Sequence, residues 1–174
     1  MTQRICIVGY GNPQRGDDGL GPLVVKRVRA GMGPRPGLRF FTFQQLGEEL
    51  PDAIAEANLL ILVDATVEDL PQGIFWRRIE PIARFSLFSH HMDPCTWLWL
   101  LERERGWSPE TWLVSIKGEA FEIGEGISPK AVELARRAAK EIAAFLERRM
   151  SPWKASLGDA LREADTLACQ GQKA

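Results

Sequence analysis

The chain has 174 residues, enough for one domain with a substantial apolar core and no need of disulfides or a structural metal. Its 22 basic and 23 acidic residues leave a formal charge of -1, which excludes a general attraction to nucleic acid or anionic membranes. The three cysteines, Cys6, Cys95 and Cys169, are too scattered for a disulfide framework or a zinc knuckle, and no apolar stretch approaches the ~20 residues of a bilayer span. With no signal-peptide pattern at the N-terminus, the expectation is a cytoplasmic protein with reduced thiols, neither nucleic-acid-binding nor inserted in a membrane.

The first predicted element is an apolar, β-branched strand from Arg4 to Val8. It runs into Gly9-Tyr10-Gly11-Asn12 and then Asp17-Asp18-Gly19, where a helical pattern sets in over Gly19 to Ala30. Gly31 to Gly37 is a connection rich in helix breakers. Next come a strand from Leu38 to Phe43, a helical pattern from Gly47 to Glu56, and a strand from Asn58 to Val63 that ends in Asp64-Ala65-Thr66. The turn Leu70-Pro71-Gln72-Gly73 precedes a strand from Gly73 to Ile79. His90-His91 stand just before a helix from Asp93 to Glu104, and a strand from Trp112 to Ile116 follows.

Ser128-Pro129, an N-cap and then proline at the first helical position, opens a long helix. Val132, Ala135, Ala139, Ile142, Ala143 and Leu146 give it one apolar stripe. Ser151-Pro152 should end it, which predicts a single α/β domain over 1–150 and a C-terminal appendage or tail over 151–174. Strands alternating with helices predict a three-layer α/β fold, a mostly parallel twisted sheet of about five strands with helices on both faces. The six tryptophans, concentrated after the histidines, read mainly as packing, with one or two available to dock a partner.

The glycine turn after the first strand invites a dinucleotide reading, but Gln14 stands where Gly-x-Gly-x-x-Gly needs its third glycine, and no Gly-Lys-Ser/Thr follows Gly16. A plainer reading makes Asp17 or Asp18 the N-cap of the next helix, which accounts for one acid better than for two. Asp64 follows five apolar residues, so in a parallel sheet it shares the carboxyl edge with Asp17 and Asp18, although a turn aspartate is the simpler alternative. The histidines, the only two in the chain, stand before a helix and allow an imidazole at the same edge or a solvated loop. Two carboxylates and one imidazole suit a divalent ion such as zinc or nickel with positions left open, and a transient or substrate-borne metal fits them better than a structural one.

At these residues the chain resembles the hydrogenase maturation endopeptidases, which trim the C-terminal extension from the large subunit of [NiFe] hydrogenases. Gly9-Tyr10-Gly11-Asn12 through Asp17-Asp18-Gly19-Leu20-Gly21 is similar to the family's opening motif, and Val63-Asp64-Ala65 to its second strand end. His90-His91-Met92 is similar to its histidine element, and Lys117 to Pro129 to the stretch before its final helix. The likeness runs over about residues 4 to 148, while Pro13-Gln14-Arg15-Gly16 departs from the apolar residues often found there.

The resemblance implies a nickel-dependent endopeptidase whose metal arrives in the large-subunit precursor, with no organic cofactor. Carried over, its metal contacts and catalytic set are Asp18, Asp64 and His90, with His91 as second choice and Asp17 as a supporting acid. The spacing to Met92 favours His90. Rival readings are a non-catalytic protein that recognises a metal site, and a nucleotide-binding α/β domain.

Overall fold

Two unbroken apolar runs set the middle of the sheet. The computed structural model describes residues 4–47, 52, 54, 56–83 and 92–170, over 151–170 by backbone alone. In it β1 (Ile5–Tyr10) is buried at all six positions and β3 (Leu59–Thr66) at its first five. Strands covered on both faces have no need of a polar alternation, which is why these segments read as continuous hydrophobic runs.

With β2 (Leu38–Phe43), β4 (Ile74–Ile79) and β5 (Glu110–Lys117) the order across the sheet is β2-β1-β3-β5-β4. Only β4, at one edge, is antiparallel to its neighbour. Helices α1 (Leu20–Met32) and α3 (Pro129–Gln170) cover one face, and α2 (Pro94–Arg105) covers the other. Strand alternation sorts the core between them. Ile5, Ile7, Ile61 and Val63 meet Val24 and Val28 of α1 and Ala135, Ile142 and Leu146 of α3, whereas Cys6, Val8, Leu60 and Leu62 share a cluster with Leu98 and Leu101 of α2. The three-layer, mostly parallel arrangement expected from the sequence is present.

Sheet and helix touch backbone to backbone at Gly9 and Gly21. A Cβ on Gly21 would lie 2.4 Å from the carbonyl oxygens of both Tyr10 and Val63, and one on Gly9 would lie 2.2 Å from the carbonyl oxygen of Gly21. The glycines flanking the opening acids thus seat the start of α1 on the ends of β1 and β3.

Several boundaries move. β1 reaches Tyr10 and β3 reaches Thr66, beyond their most apolar stretches, because ladder pairing continues through Gly9 with Val63 and Asp64 with Ser115. The predicted helix over 47–56 falls largely outside the described residues. The larger correction concerns Ser151-Pro152, which does not end the last helix: the backbone stays helical to Gln170. A proline inside a helix costs ~3 kcal/mol by removing one N–H and crowding the carbonyl four residues back. That weakens a helix without forbidding it, and the Ala, Leu, Lys, Arg and Glu residues after it are good helix formers.

Cys6 and Cys95 are both buried, and burial pushes the Cys6 thiol up to about 11 against an opposing pull from Arg39, which disfavours the reactive thiolate. Trp97 lies in the α2-side core, and Trp76 and Trp112 pack against Phe145 of α3, as the packing reading of the tryptophans expects. Among the described residues no helix is long and apolar enough to cross a membrane.

Candidate functional site

Parallel β1 and β3 deliver their carboxyl ends to one edge of the sheet, the edge where open α/β sheets bind ligands. The register Gly9 with Val63 makes Tyr10 and Asp64 neighbours. Alternation continues Cys6 and Val8 to Tyr10, and Leu60 and Leu62 to Asp64, so both side chains belong to the α2 face. Beyond Tyr10 the chain turns at Gly11, whose φ of +130° suits only glycine, and a Cβ there would lie 2.0 Å from the carbonyl oxygen of Asp18.

A short 3₁₀ turn, Gly16–Gly19, carries Asp17 and Asp18 into α1. The N-cap of α1 is Gly19, and no side chain caps it. The helix-cap alternative is therefore not realised by either acid, and the two go separate ways.

Asp17 is fully buried, at 0% exposure. Its Oδ1 accepts the Ser128 N–H at 2.7 Å, and its Oδ2 accepts the N–H groups of Glu119 at 2.8 Å and Ala120 at 3.1 Å and the Ser128 hydroxyl at 2.9 Å. Burial pushes this carboxyl upward, but the hydrogen bonds from Glu119, Ser128 and Ala120 outweigh it and hold Asp17 below the ordinary carboxylate range. Ser128 in turn caps α3, its hydroxyl accepting the Ala131 N–H at 3.3 Å. Asp17 thus ties the opening loop to the 119–128 segment and the start of α3.

Asp18 is half-buried, and its Oδ2 accepts the Asn12 N–H at 2.8 Å, which fixes the carboxylate against the glycine turn. Asp18 and Asp64 line one cleft of about 410 Å³ together with Tyr10, Met92, Asp93 and Phe121. Among the described residues that line it there is no lysine or arginine, and its carboxylates give it a field that favours a cation.

Asp64 is pushed up to about 7, first by burial and further by the charge of Asp18, while hydrogen bonding from the Tyr10 hydroxyl and the Ala65 N–H pulls the other way. The Tyr10 hydroxyl is buried beside Asp64 and has no partner at full hydrogen-bond geometry among the described residues. Burial and the charges of Asp64 and Asp93 raise Tyr10 well above its usual range, which keeps it a neutral donor. A carboxyl that titrates near neutrality beside a second carboxylate can exchange protons or accept a cation in place of one.

Of the residues singled out from sequence, the fold brings Asp18 and Asp64 together and turns Asp17 away into a buried clamp. His90 and His91 lie outside the described residues. Among the described residues no group of three or more His, Cys, Asp and Glu side chains is placed to hold a metal ion. The two carboxylates offer oxygen donors suited to a divalent cation that brings ligands of its own. Tyr10 and Asp93 were not anticipated as cleft residues. Strand parity could have found Tyr10, and the Asp93-Pro94 helix start could have found Asp93, whose Oδ1 accepts the N–H groups of Cys95 at 3.0 Å and Thr96 at 3.1 Å.

No protein-family model matches the sequence, and no curated protein matches it. Solved structures do match. The [NiFe] hydrogenase maturation protease HycI from Thermococcus kodakarensis KOD1 is 24% identical, with a TM-score of 0.69 over 83% of this chain and 93% of its own. The hydrogenase maturating endopeptidase HybD from E. coli is 24% identical, with a TM-score of 0.71 over 84% of this chain and 94% of its own. An endopeptidase from Escherichia coli solved in solution is 22% identical, with a TM-score of 0.66 over 84% and 94%. At this level of identity the likeness establishes a shared fold.

Proposed function

We propose that this chain is a hydrogenase maturation protease, an endopeptidase that removes the C-terminal extension of a [NiFe] hydrogenase large-subunit precursor after nickel insertion. The observation that carries the reading is the convergence of Asp18, from the 3₁₀ turn, and Asp64, from the carboxyl end of β3, on one acidic cleft, within a fold shared with solved proteases of that kind. The nickel is part of the substrate, held by the precursor's own thiolates, and Asp18, Asp64 and His90 complete its contacts. Bound there, it supplies Lewis acidity toward the scissile carbonyl or the attacking water.

The chain's own groups do the rest. The Asn12 N–H occupies one oxygen of Asp18 and so orients the other for the metal. Asp64, which titrates near neutrality, releases its proton to solvent as a cation docks, and the Tyr10 hydroxyl beside it steadies the carboxylate that results. Water serves as the nucleophile in this reading, with neither serine nor cysteine among the described residues that line the cleft.

The test is processing of purified precursor, loaded with nickel or free of it, read at the C-terminus by intact mass. Cleavage of the loaded form alone, lost in Asp18→Ala and Asp64→Ala, is the expected result; full activity in either variant rejects the assignment. His90→Ala should be inactive and His91→Ala active, and the reverse moves the histidine contact by one residue. A thermal shift with NAD, FAD or ATP would instead favour the nucleotide-binding reading.

A further inference from the structure

A second concavity, larger than the acidic cleft, is a groove of about 750 Å³ along the open edge of β2, whose lining among the described residues includes Lys26, Arg29, Arg35, Arg39, Phe40 and Phe41 and no acidic residue. Arg35 lies 2.6 Å from Glu147, and Arg39 lies 3.9 Å from Glu56. Lys26 and Arg29, both exposed on α1, make no ion pair among the described residues.

The outward side of this edge is also open along its backbone among the described residues. The carbonyls of Gly37 and Phe43 accept the N–H groups of Ile5 and Gly11. In a parallel ladder alternate residues turn both backbone groups to the same side, so Arg39 and Phe41 face β1 while Phe40 and Thr42 face outward. No strand pairs with that outer side among the described residues.

We propose that this edge is a docking strip for an acidic, extended segment of a partner protein, which adds as a new strand beside β2. Main-chain hydrogen bonds to Phe40 and Thr42 supply affinity, and the four basic side chains select acidic residues on the incoming strand. The half-buried ring of Phe40, on the α1 side of the sheet, gives it an apolar floor. A second copy of this chain is a poor occupant, because its own β2 would bring the same basic set against itself. Single-stranded nucleic acid would answer the charge but leave the outward N–H and C=O groups without strand partners. Basic residues on an edge also guard against stray strand pairing. A guard and a receptor differ in whether an acidic strand is held. The strip shares no lining residue with the acidic cleft, so it stands apart from the proteolytic reading.

The test uses the full chain and fluorescence anisotropy at low salt with a labelled peptide alternating Glu and Val, a counterpart alternating Lys and Val, and an oligothymidylate of matching length. The expected result is saturable binding of the acidic peptide alone. Charge reversal in the Lys26→Glu, Arg29→Glu double variant, at two exposed positions, should weaken it by about tenfold or more. Thr42→Pro, which removes an outward N–H and spares the pairing with β1, should weaken it as well. On binding, amide exchange should slow at Phe40 and Thr42 and stay unchanged at Arg39 and Phe41. Asp64→Asn should bind the peptide as the parent does, which separates this result from any loss of proteolysis. Absence of saturable binding, indifference to the charge reversal, protection confined to other strands, or preference for the oligothymidylate would each overturn the proposal.

Discussion

Ser128 reaches back to Asp17 across 111 residues with two donors at once, its N–H to Oδ1 at 2.7 Å and its hydroxyl to Oδ2 at 2.9 Å. One buried carboxylate thereby fixes the loop that carries Asp18, and the cap of α3 is part of the same knot.

Replacing Asp17 should therefore unfold the protein before it alters the chemistry. Asp17→Ala leaves three backbone N–H groups without their acceptor, at a cost on the order of 3–5 kcal/mol, measurable by urea denaturation. Because the folded pKa of Asp17 is depressed, its contribution is present above the unfolded carboxyl value and is lost as pH falls through the lower folded value. The parent should thus lose stability in acid more steeply than the variant. A loss below about 1 kcal/mol would show that the clamp is unimportant.

Asp64 has the opposite sign. Its folded pKa of about 7 lies above the ordinary 3.8, so the folded state holds the extra proton between those values. The stability this confers is full below about pH 4 and is lost as pH rises through about 7. Asp64→Asn should accordingly be more stable than the parent at about pH 8, by at most about 4 kcal/mol, and the gap should close toward pH 4. Denaturation midpoints measured across that range test it, and a constant gap would refute the assigned shift.

Asp18→Asn is expected to leave the fold nearly intact. The side chain is half-buried, and one hydrogen bond from Asn12 is at stake, about 1 kcal/mol. Processing of nickel-loaded precursor should nevertheless disappear. A stable variant with unchanged turnover would remove Asp18 from the site.

Gly21→Ala offers a check on the sheet edge. Helix propensity alone would make alanine stabilising by up to about 1 kcal/mol. The added Cβ would lie 2.4 Å from two carbonyl oxygens that belong to backbone and cannot swing aside. Destabilisation of about 1–3 kcal/mol is the expected outcome, along with reduced processing, because Tyr10 must move. A raised melting temperature would contradict the close approach.

Much of this was legible from residue order alone. The runs at Ile5 and Leu59 reveal buried parallel strands, and two acids past parallel strand ends must share an edge. The division of labour between Asp17 and Asp18 was not legible in such detail, because it depends on backbone donors at 119, 120 and 128 that no local pattern links to position 17. Tyr10 was hidden for a different reason: it occupies the variable place in a glycine motif, and only the register with β3 sets it beside Asp64. The length of α3 is not legible at Ser151-Pro152, because a proline in mid-helix is a finite cost and not a stop.

The Asp17 clamp also has a timing. A ribosome releases the opening loop first and the segment around Ser128 much later, and a nascent chain folds from its N-terminal end. Until Ser128 has emerged, the loop holding Asp18 lacks the partners that tie it down. The acidic cleft is thus completed late in synthesis, and a chain cut short before that serine would carry Asp18 and Asp64 without the knot that sets one against the other.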